Sequence, residues 1–124
     1  DKGARVWAGH IAAAHFSQLI SIEKERPEPE RVIMHISGDV RGKRILIVDD
    51  MITTGNTILE AARLLCEHGA ASVRVAATHG LFTGDARERL QQSAIEKIYV
   101  TNSLPQQRAI DKITVVDIAP FIQE

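Results

Sequence analysis

The feature that most constrains this chain is an apolar run followed by two acids and a turn of small polar residues. Residues 45–48 are four consecutive apolar residues, which predicts a strand buried on both faces of a sheet. Asp49 and Asp50 follow directly, and residues 53–57 then form a Thr/Gly/Asn loop that leads into a helical pattern near Ile58. Open α/β sheets bind their ligands at the carboxyl ends of strands. The pattern therefore predicts an α/β fold with a ligand site at the end of this strand.

The loop and the acid pair predict two halves of one binding site. A turn that enters a helix presents backbone N–H groups and the positive end of the helix dipole, which suits an anion such as phosphate. Residues 53–57 are placed to bind that anion. Asp49 and Asp50 would repel phosphate, and carboxylates suit ribose hydroxyls or a hydrated Mg²⁺ instead. We therefore expect a sugar phosphate whose diol and phosphate bind adjacent parts of one turn.

Composition indicates one modest domain over residues 1–124. A chain of 124 residues with 44% hydrophobic content is long enough to form a single core. The net charge of -1, with its basic residues scattered, argues against a nucleic-acid partner. No apolar run approaches the ~18 residues of a membrane span and no signal peptide is visible, so we expect no membrane partner and a cytoplasmic protein. The single cysteine, Cys66, excludes an internal disulfide and is predicted to be a small core residue.

The rest of the chain has the pattern of alternating helices and strands. Helices are predicted over residues 4–19 and 58–68, the second closed by Gly69, and a third is predicted to begin with Asp85 as its N-cap. Strands are predicted over residues 19–22, 32–37, 73–78, 95–101 and 113–116. Residues 23–31, which include Pro27 and Pro29, are predicted to be a solvated loop. Together these elements predict a mostly parallel sheet flanked by helices.

Four segments point to one enzyme family. They are residues 22–27 (IEKERP), 38–43 (GDVRGK), 44–57 (RILIVDDMITTGNT) and 77–86 (ATHGLFTGDA). The third segment resembles the ribose-phosphate-binding signature of the type I phosphoribosyltransferase fold. The other three narrow the resemblance to ribose-phosphate pyrophosphokinase, also called phosphoribosyl pyrophosphate synthetase. The resemblance runs over essentially the whole chain and identifies it as the C-terminal domain of that longer synthetase, without the N-terminal half.

The resemblance implies transfer of a pyrophosphoryl group from ATP to the anomeric hydroxyl of ribose 5-phosphate, with Mg²⁺ as cofactor. It assigns the ribose hydroxyls to Asp49 and Asp50, directly or through Mg²⁺. Lys24 and Arg26 would close over the triphosphate and neutralise developing negative charge. Asp1 would bind a metal ion in the pyrophosphate loop. The 5-phosphate would bind Thr53, Thr54, Gly55, Asn56 and Thr57. ATP and ribose 5-phosphate are the expected partners of a full-length homo-oligomer, and the 124-residue fragment alone is expected to be inactive.

Three positions depart from the family's pattern. Thr53 stands where the synthetases usually have Asp, Asn56 where they have Gly or Ala, and Glu25 where a basic residue lies. Thr53 leaves open a second interpretation, in which the protein is a phosphoribosyltransferase that binds phosphoribosyl pyrophosphate and a base. Glu25 keeps open a non-catalytic regulatory homologue of the synthetase, and the start at Asp1 keeps open a stand-alone half-fold. His79 has two interpretations, as a strand-end cap or as a contact to a nucleotide.

Overall fold

Strands and helices alternate along the part of the chain that is described. The structure, a computed structural model, describes residues 19–20, 22–28, 31–36, 39–105 and 110–117, with the backbone alone for the first three ranges. The strands within these ranges are β1 (Leu19–Ile20), β2 (Ile22–Glu28), β3 (Arg31–Ile36), β4 (Arg44–Ile52), β5 (Ser72–Gly80), β6 (Lys97–Thr101) and β7 (Ile113–Val116). The helices within them are α1 (Asn56–Glu67) and α2 (Ala86–Gln91).

The main sheet is parallel throughout, with strand order β1-β4-β5-β6-β7, and confirms the predicted α/β fold. β4 lies between β1 and β5, and its pairing with β5 continues as far as Ile52, opposite Gly80. Ile45 and Leu46 are fully buried and Ile47 is nearly so, as predicted for a strand covered on both faces, while Val48 at the end of the run is half-buried. The carboxyl end of β4 therefore lies inside the sheet rather than at its edge.

β4 is longer than the apolar run alone predicts. Asp49 and Asp50 lie within the strand rather than after it, because the backbone of Asp49 stays paired with Ala77 of β5. The apolar run marks only the first buried stretch of the strand, whereas the pairing of its backbone continues to Ile52, which is buried again. Both acids are therefore held by the sheet and not by a flexible connection.

Helix α1 begins two residues earlier than predicted and ends within one residue of the predicted position. Gly69, at φ 88°, closes it: the Gly69 N–H donates to the Cys66 carbonyl (3.0 Å) and the Ala70 N–H to the Leu65 carbonyl (3.1 Å). Cys66 is exposed, so its prediction as a core residue is wrong; it lies about 100° around the helix from the fully buried Leu65. The buried face of the helix is formed by Ile58, Ala61, Ala62 and Leu65.

The hairpin of β2 and β3 corrects the prediction of a loop over residues 23–31. β2 pairs antiparallel with β3, with Lys24 opposite Met34. The charges and prolines of β2 indicate a loop, but β3 offers a partner strand, and pairing overrides a low strand propensity. The register shifts between Glu25 and Glu28, so Pro27 falls at an irregularity where its missing N–H breaks no regular ladder. The predicted strand over residues 32–37 is confirmed within one residue.

The remaining elements follow the predictions closely. β1 covers the first two residues of the strand predicted over 19–22, and β5, β6 and β7 are found where they were expected. Asp85 precedes α2 as its N-cap residue, although its side chain makes no capping hydrogen bond. The helix predicted over residues 4–19 lies outside the described residues, apart from Leu19. Neither described helix has the length and apolar character needed to cross a membrane.

Candidate functional site

The predicted anion loop is a tight turn between β4 and α1. Gly55 precedes the helix with φ 81° and ψ 0°, a left-handed conformation that glycine adopts without steric cost. Its carbonyl accepts the N–H of Leu59 at 2.8 Å, which is the first hydrogen bond of the helix. The hydroxyl of Thr54 accepts the N–H of Asn56 at 3.3 Å. The turn therefore directs the N-terminal end of α1 towards the space beyond the end of β4.

A shallow polar depression of about 60 Å³ lies at this end of α1. A volume of that order holds a small anion or a few waters rather than a whole nucleotide. The depression combines loop residues with the first turn of the helix, where backbone N–H groups have no helical acceptor. It is lined by Asp49, Met51, Ile52, Thr53, Thr54, Gly55, Asn56, Thr57 and Ile58. All five residues predicted to bind phosphate are thus brought together, and their role as ligands stays a prediction.

The two acids lie differently with respect to the depression. Asp49 is half-buried and lines it, whereas Asp50 is exposed and is not among the lining residues. Successive strand residues point to opposite faces of a sheet, which explains the difference. The Asp49 carboxylate also accepts the N–H of Asp50 at 2.7 Å. Asp49 therefore lies beside the phosphate loop as predicted, while Asp50 offers its carboxylate at the opposite face of the strand end.

The segment after β5 supports the loop, and sequence reasoning missed this role. The N–H groups of Leu81 and Phe82 donate to the Ile52 carbonyl at 2.9 and 3.3 Å, and the Thr83 N–H donates to the Thr53 carbonyl at 2.9 Å. These are backbone contacts between segments about 30 residues apart, so no side-chain pattern reports them. The segment's resemblance to a family motif was the one available signal.

His79 lies in a hydrogen-bonded group at the ends of β5 and β6. Its Nδ1 is 2.8 Å from the Ser103 hydroxyl oxygen. Ser103 donates to the Thr78 carbonyl at 3.1 Å, and the fully buried Thr101 donates to the same carbonyl at 2.5 Å. Of the two interpretations left open for His79, these contacts favour the strand-end cap.

The other predicted site residues are not placed in the depression. Lys24 and Arg26 lie on β2, where the backbone alone is described, and Asp1 lies outside the described residues. Among the residues that the structure describes, no group of three His, Cys, Asp or Glu side chains is arranged to hold a metal ion. The roles predicted for Lys24, Arg26 and Asp1 therefore stay predictions.

The parallel sheet and the turn between β4 and α1 together define a domain of the type I phosphoribosyltransferase fold. Residues 11–124 match the family model described as the phosphoribosyl synthetase-associated domain, and the chain belongs to that family. The structure is also similar to the crystal structure of phosphoribosylpyrophosphate synthetase from Mycobacterium smegmatis. That comparison has a TM-score of 0.72 and 36% sequence identity, and it covers 98% of this chain and 39% of that one.

Curated relatives of the chain are named ribose-phosphate pyrophosphokinase. The protein from Aquifex aeolicus is 49% identical over 105 residues, which is 83% of this chain and 34% of the relative. The protein from Caldanaerobacter subterraneus subsp. tengcongensis is 39% identical over 127 aligned positions, which is 100% of this chain and 40% of the relative. The chain therefore spans about two fifths or less of the length of the relatives that it matches.

Proposed function

We propose that this chain supplies the ribose 5-phosphate site of a ribose-phosphate pyrophosphokinase. The reaction would transfer pyrophosphate from ATP to ribose 5-phosphate and give phosphoribosyl pyrophosphate and AMP. The observation that supports the proposal most is the left-handed turn at Gly55, which directs the start of α1 at the depression in a chain whose relatives bear that enzyme's name. A cytoplasmic location, ATP as second substrate and homo-oligomerisation of the longer protein belong to the same proposal.

Phosphate binding would fall to the loop and to the first turn of α1. The N–H groups at a helix start lie at the positive end of the dipole and attract an anion. Thr53, Thr54 and Thr57 are exposed and add hydroxyl donors to the same place. Because the Thr54 oxygen accepts the Asn56 N–H, its own proton remains available to a phosphate oxygen.

The ribose hydroxyls would be bound by the acids at the end of β4. A carboxylate accepts hydrogen bonds from a diol, and Asp49 is placed to do so beside the phosphate loop. The donor set also fits Mg²⁺, which takes one or two carboxylates together with substrate oxygens and several waters. Asp49 would hold that ion beside the loop, and Asp50, exposed at the same strand end, would act on it through one of its waters. When bound, the ion would supply positive charge to the sugar and phosphate oxygens.

Catalysis would depend on positioning and charge rather than on a covalent intermediate. The attack on the β-phosphorus of ATP is in line, and negative charge develops as AMP leaves. Lys24 and Arg26 on β2 would neutralise that charge, because cationic donors held at the reacting phosphates stabilise the transition state more than the ground state. In this proposal the loop after β4 binds the sugar phosphate, and the hairpin of β2 and β3 contacts the nucleotide.

Asp50→Ala and Thr57→Val are each expected to weaken the binding of ribose 5-phosphate. Each variant removes a hydrogen bond in which one group is charged, the Asp50 carboxylate in the first and the phosphate in the second. Such a bond contributes about 1.5 kcal/mol or more, or roughly tenfold in Kd. Asp50 is preferred to Asp49 because the Asp49 carboxylate also accepts a backbone N–H within the strand. Isothermal titration calorimetry of the chain with ribose 5-phosphate measures the change.

Asp111→Ala is the matched control for the loss of one exposed acid. Asp111 lies just before β7, at the opposite end of the parallel sheet from the loop, so its removal should leave the affinity for ribose 5-phosphate unchanged. Unchanged affinity in both Asp50→Ala and Thr57→Val would contradict the assignment of the site.

The products of the reaction distinguish the enzyme classes. In a protein extended to the length of its relatives, AMP should be released from ATP only when ribose 5-phosphate and Mg²⁺ are both present. Thr53→Asp restores the residue usual in the synthetases and should keep that requirement, with any change confined to the rate. If the protein instead releases pyrophosphate in the presence of a free purine or pyrimidine base, and releases no AMP, the phosphoribosyltransferase interpretation is favoured.

A further inference from the structure

An arginine of α2 reaches the start of α1. The Nη1 of Arg89 donates to the side-chain oxygen of Asn56 at 2.6 Å, although the two residues are 33 positions apart in the chain. Asn56 is the first residue of α1 and lines the depression at the anion loop. The contact therefore places a guanidinium group beside the proposed phosphate site, on an element that sequence reasoning did not connect with it.

The position of Arg89 is fixed by the support segment, which we define as residues 81–90. Its start is held to β4 and the loop by the backbone hydrogen bonds to the carbonyls of Ile52 and Thr53. Its end is fully buried at Leu90, whose side-chain atoms lie 3.6 Å from where a Cβ at Gly55 would be. The segment is thus tied to the anion loop at both ends, which holds α2 in place.

The charge of Arg89 is not neutralised by a carboxylate among the described residues. Arg63 forms ion pairs with Glu60 and Glu67, and Arg74 forms one with Glu96. The side-chain partner of Arg89 is instead a neutral amide. A guanidinium carries five N–H donors in a planar fork, so the bond to Asn56 leaves donors for a second acceptor. Its positive charge adds to that of the helix N-terminus.

We propose that Arg89 is a positioning residue for the bound sugar phosphate. It holds the Asn56 side chain at the mouth of the depression and raises the positive potential at the loop. Asn56 is one of the positions where the sequence departs from the family's pattern, and this contact gives it a role. The inference rests on the proposed ribose 5-phosphate site and extends it to a residue of α2.

Calorimetry of the chain with ribose 5-phosphate and with inorganic phosphate tests the inference. Arg89→Met should weaken both ligands about three- to tenfold, because one partly screened charge near a dianion is lost. Arg89→Lys should recover part of the affinity, since it restores the charge but not the fork. Arg63→Met is the matched control: it removes an exposed arginine from α1 and should leave both affinities within about twofold, as expected for a solvent-screened ion pair away from the ligand.

The dependence on salt separates a charge effect from a purely structural one. Screening between charges is weak at about 0.05 M salt, whereas the Debye length falls to about 3 Å at 1 M. The difference in affinity between wild type and Arg89→Met should therefore shrink as the salt concentration rises. A difference that does not change with salt would overturn the role of the charge.

If Arg89→Met behaves like Arg63→Met while Asp50→Ala and Thr57→Val lose affinity, the inference is wrong and the proposed function stands. If wild type does not bind ribose 5-phosphate, the proposed function fails and this inference with it.

Discussion

Gly80→Ala is expected to lower the free energy of unfolding by about 2–3 kcal/mol, the cost of forcing an extra methyl group into a filled core. A Cβ at Gly80 would lie 2.5 Å from Cε2 of the Phe82 ring and 2.9 Å from Cγ1 of Val100. Both distances are shorter than carbon atoms tolerate, and the first atom belongs to a rigid ring. Urea denaturation of the chain measures the loss.

The neighbours of Gly80 have little freedom to move aside. Phe82 is 2% exposed and has φ 53°, and its ring lies under the guanidinium of Arg87 at 5.1 Å. Its N–H donates to the Ile52 carbonyl and its carbonyl accepts from Arg87 at 3.0 Å. Val100 is fully buried in β6. The added methyl group must therefore displace the support segment, the sheet, or both.

Gly42→Ala provides the matched control for a glycine replaced by alanine. Gly42 has φ 71° and no atom within 4 Å of its would-be Cβ, so the substitution costs only the left-handed backbone strain, about 1 kcal/mol. The double variant Gly80→Ala with Phe82→Leu should be less unstable than the sum of its parts, because the shorter side chain leaves room for the methyl group. Equal losses in Gly80→Ala and Gly42→Ala would show that the close approach at Gly80 relaxes freely.

Lys24→Ala is expected to reduce turnover about a hundredfold in a protein extended to the length of its relatives, the size of effect seen when one preorganised transition-state donor is removed. The affinity for ribose 5-phosphate should stay within about twofold, because the proposed contact of Lys24 is to the reacting phosphates of ATP and strengthens as charge develops. Steady-state assays of AMP release, together with calorimetry for ribose 5-phosphate, separate the two quantities.

Lys43→Ala is the control for Lys24→Ala. Lys43 is exposed and directly precedes β4, at the opposite end of that strand from the loop, so its loss should leave both turnover and affinity unchanged. If Lys24→Ala loses ribose 5-phosphate binding but keeps its turnover at saturation, Lys24 contacts ribose 5-phosphate and its assignment to ATP is wrong. Turnover close to that of wild type would remove it from the catalytic residues altogether.

The local elements were predictable because their signals lie within a few residues. Four apolar residues predicted β4, and the helical pattern from near Ile58, closed by Gly69, predicted α1 and its end. The hairpin of β2 and β3 was not predictable in the same way. Its first strand has the composition of a loop and depends on a partner strand for its hydrogen bonds.

The candidate site was predictable only in part, for a related reason. Residues 53–57 adjoin one another in sequence, so their gathering in one turn follows from the turn itself. The different faces of Asp49 and Asp50 depend on the strand continuing past its apolar run, which no hydrophobic pattern reports. Arg89 reaches Asn56 through an element that begins about 30 residues later, and sequence patterns carry no direct record of such a contact.

The hydrogen bonds that hold the anion loop have a consequence for how this site can evolve. Thr53 is tied to the support segment through its carbonyl, which accepts the Thr83 N–H, while its side chain is exposed. Every amino acid carries that carbonyl, so the tie survives substitution at this position. Selection can therefore exchange a hydroxyl for a carboxylate at the mouth of the site without rebuilding the loop. The side chain at position 53 can therefore change between hydroxyl and carboxylate while the backbone hydrogen bond that holds the loop is kept.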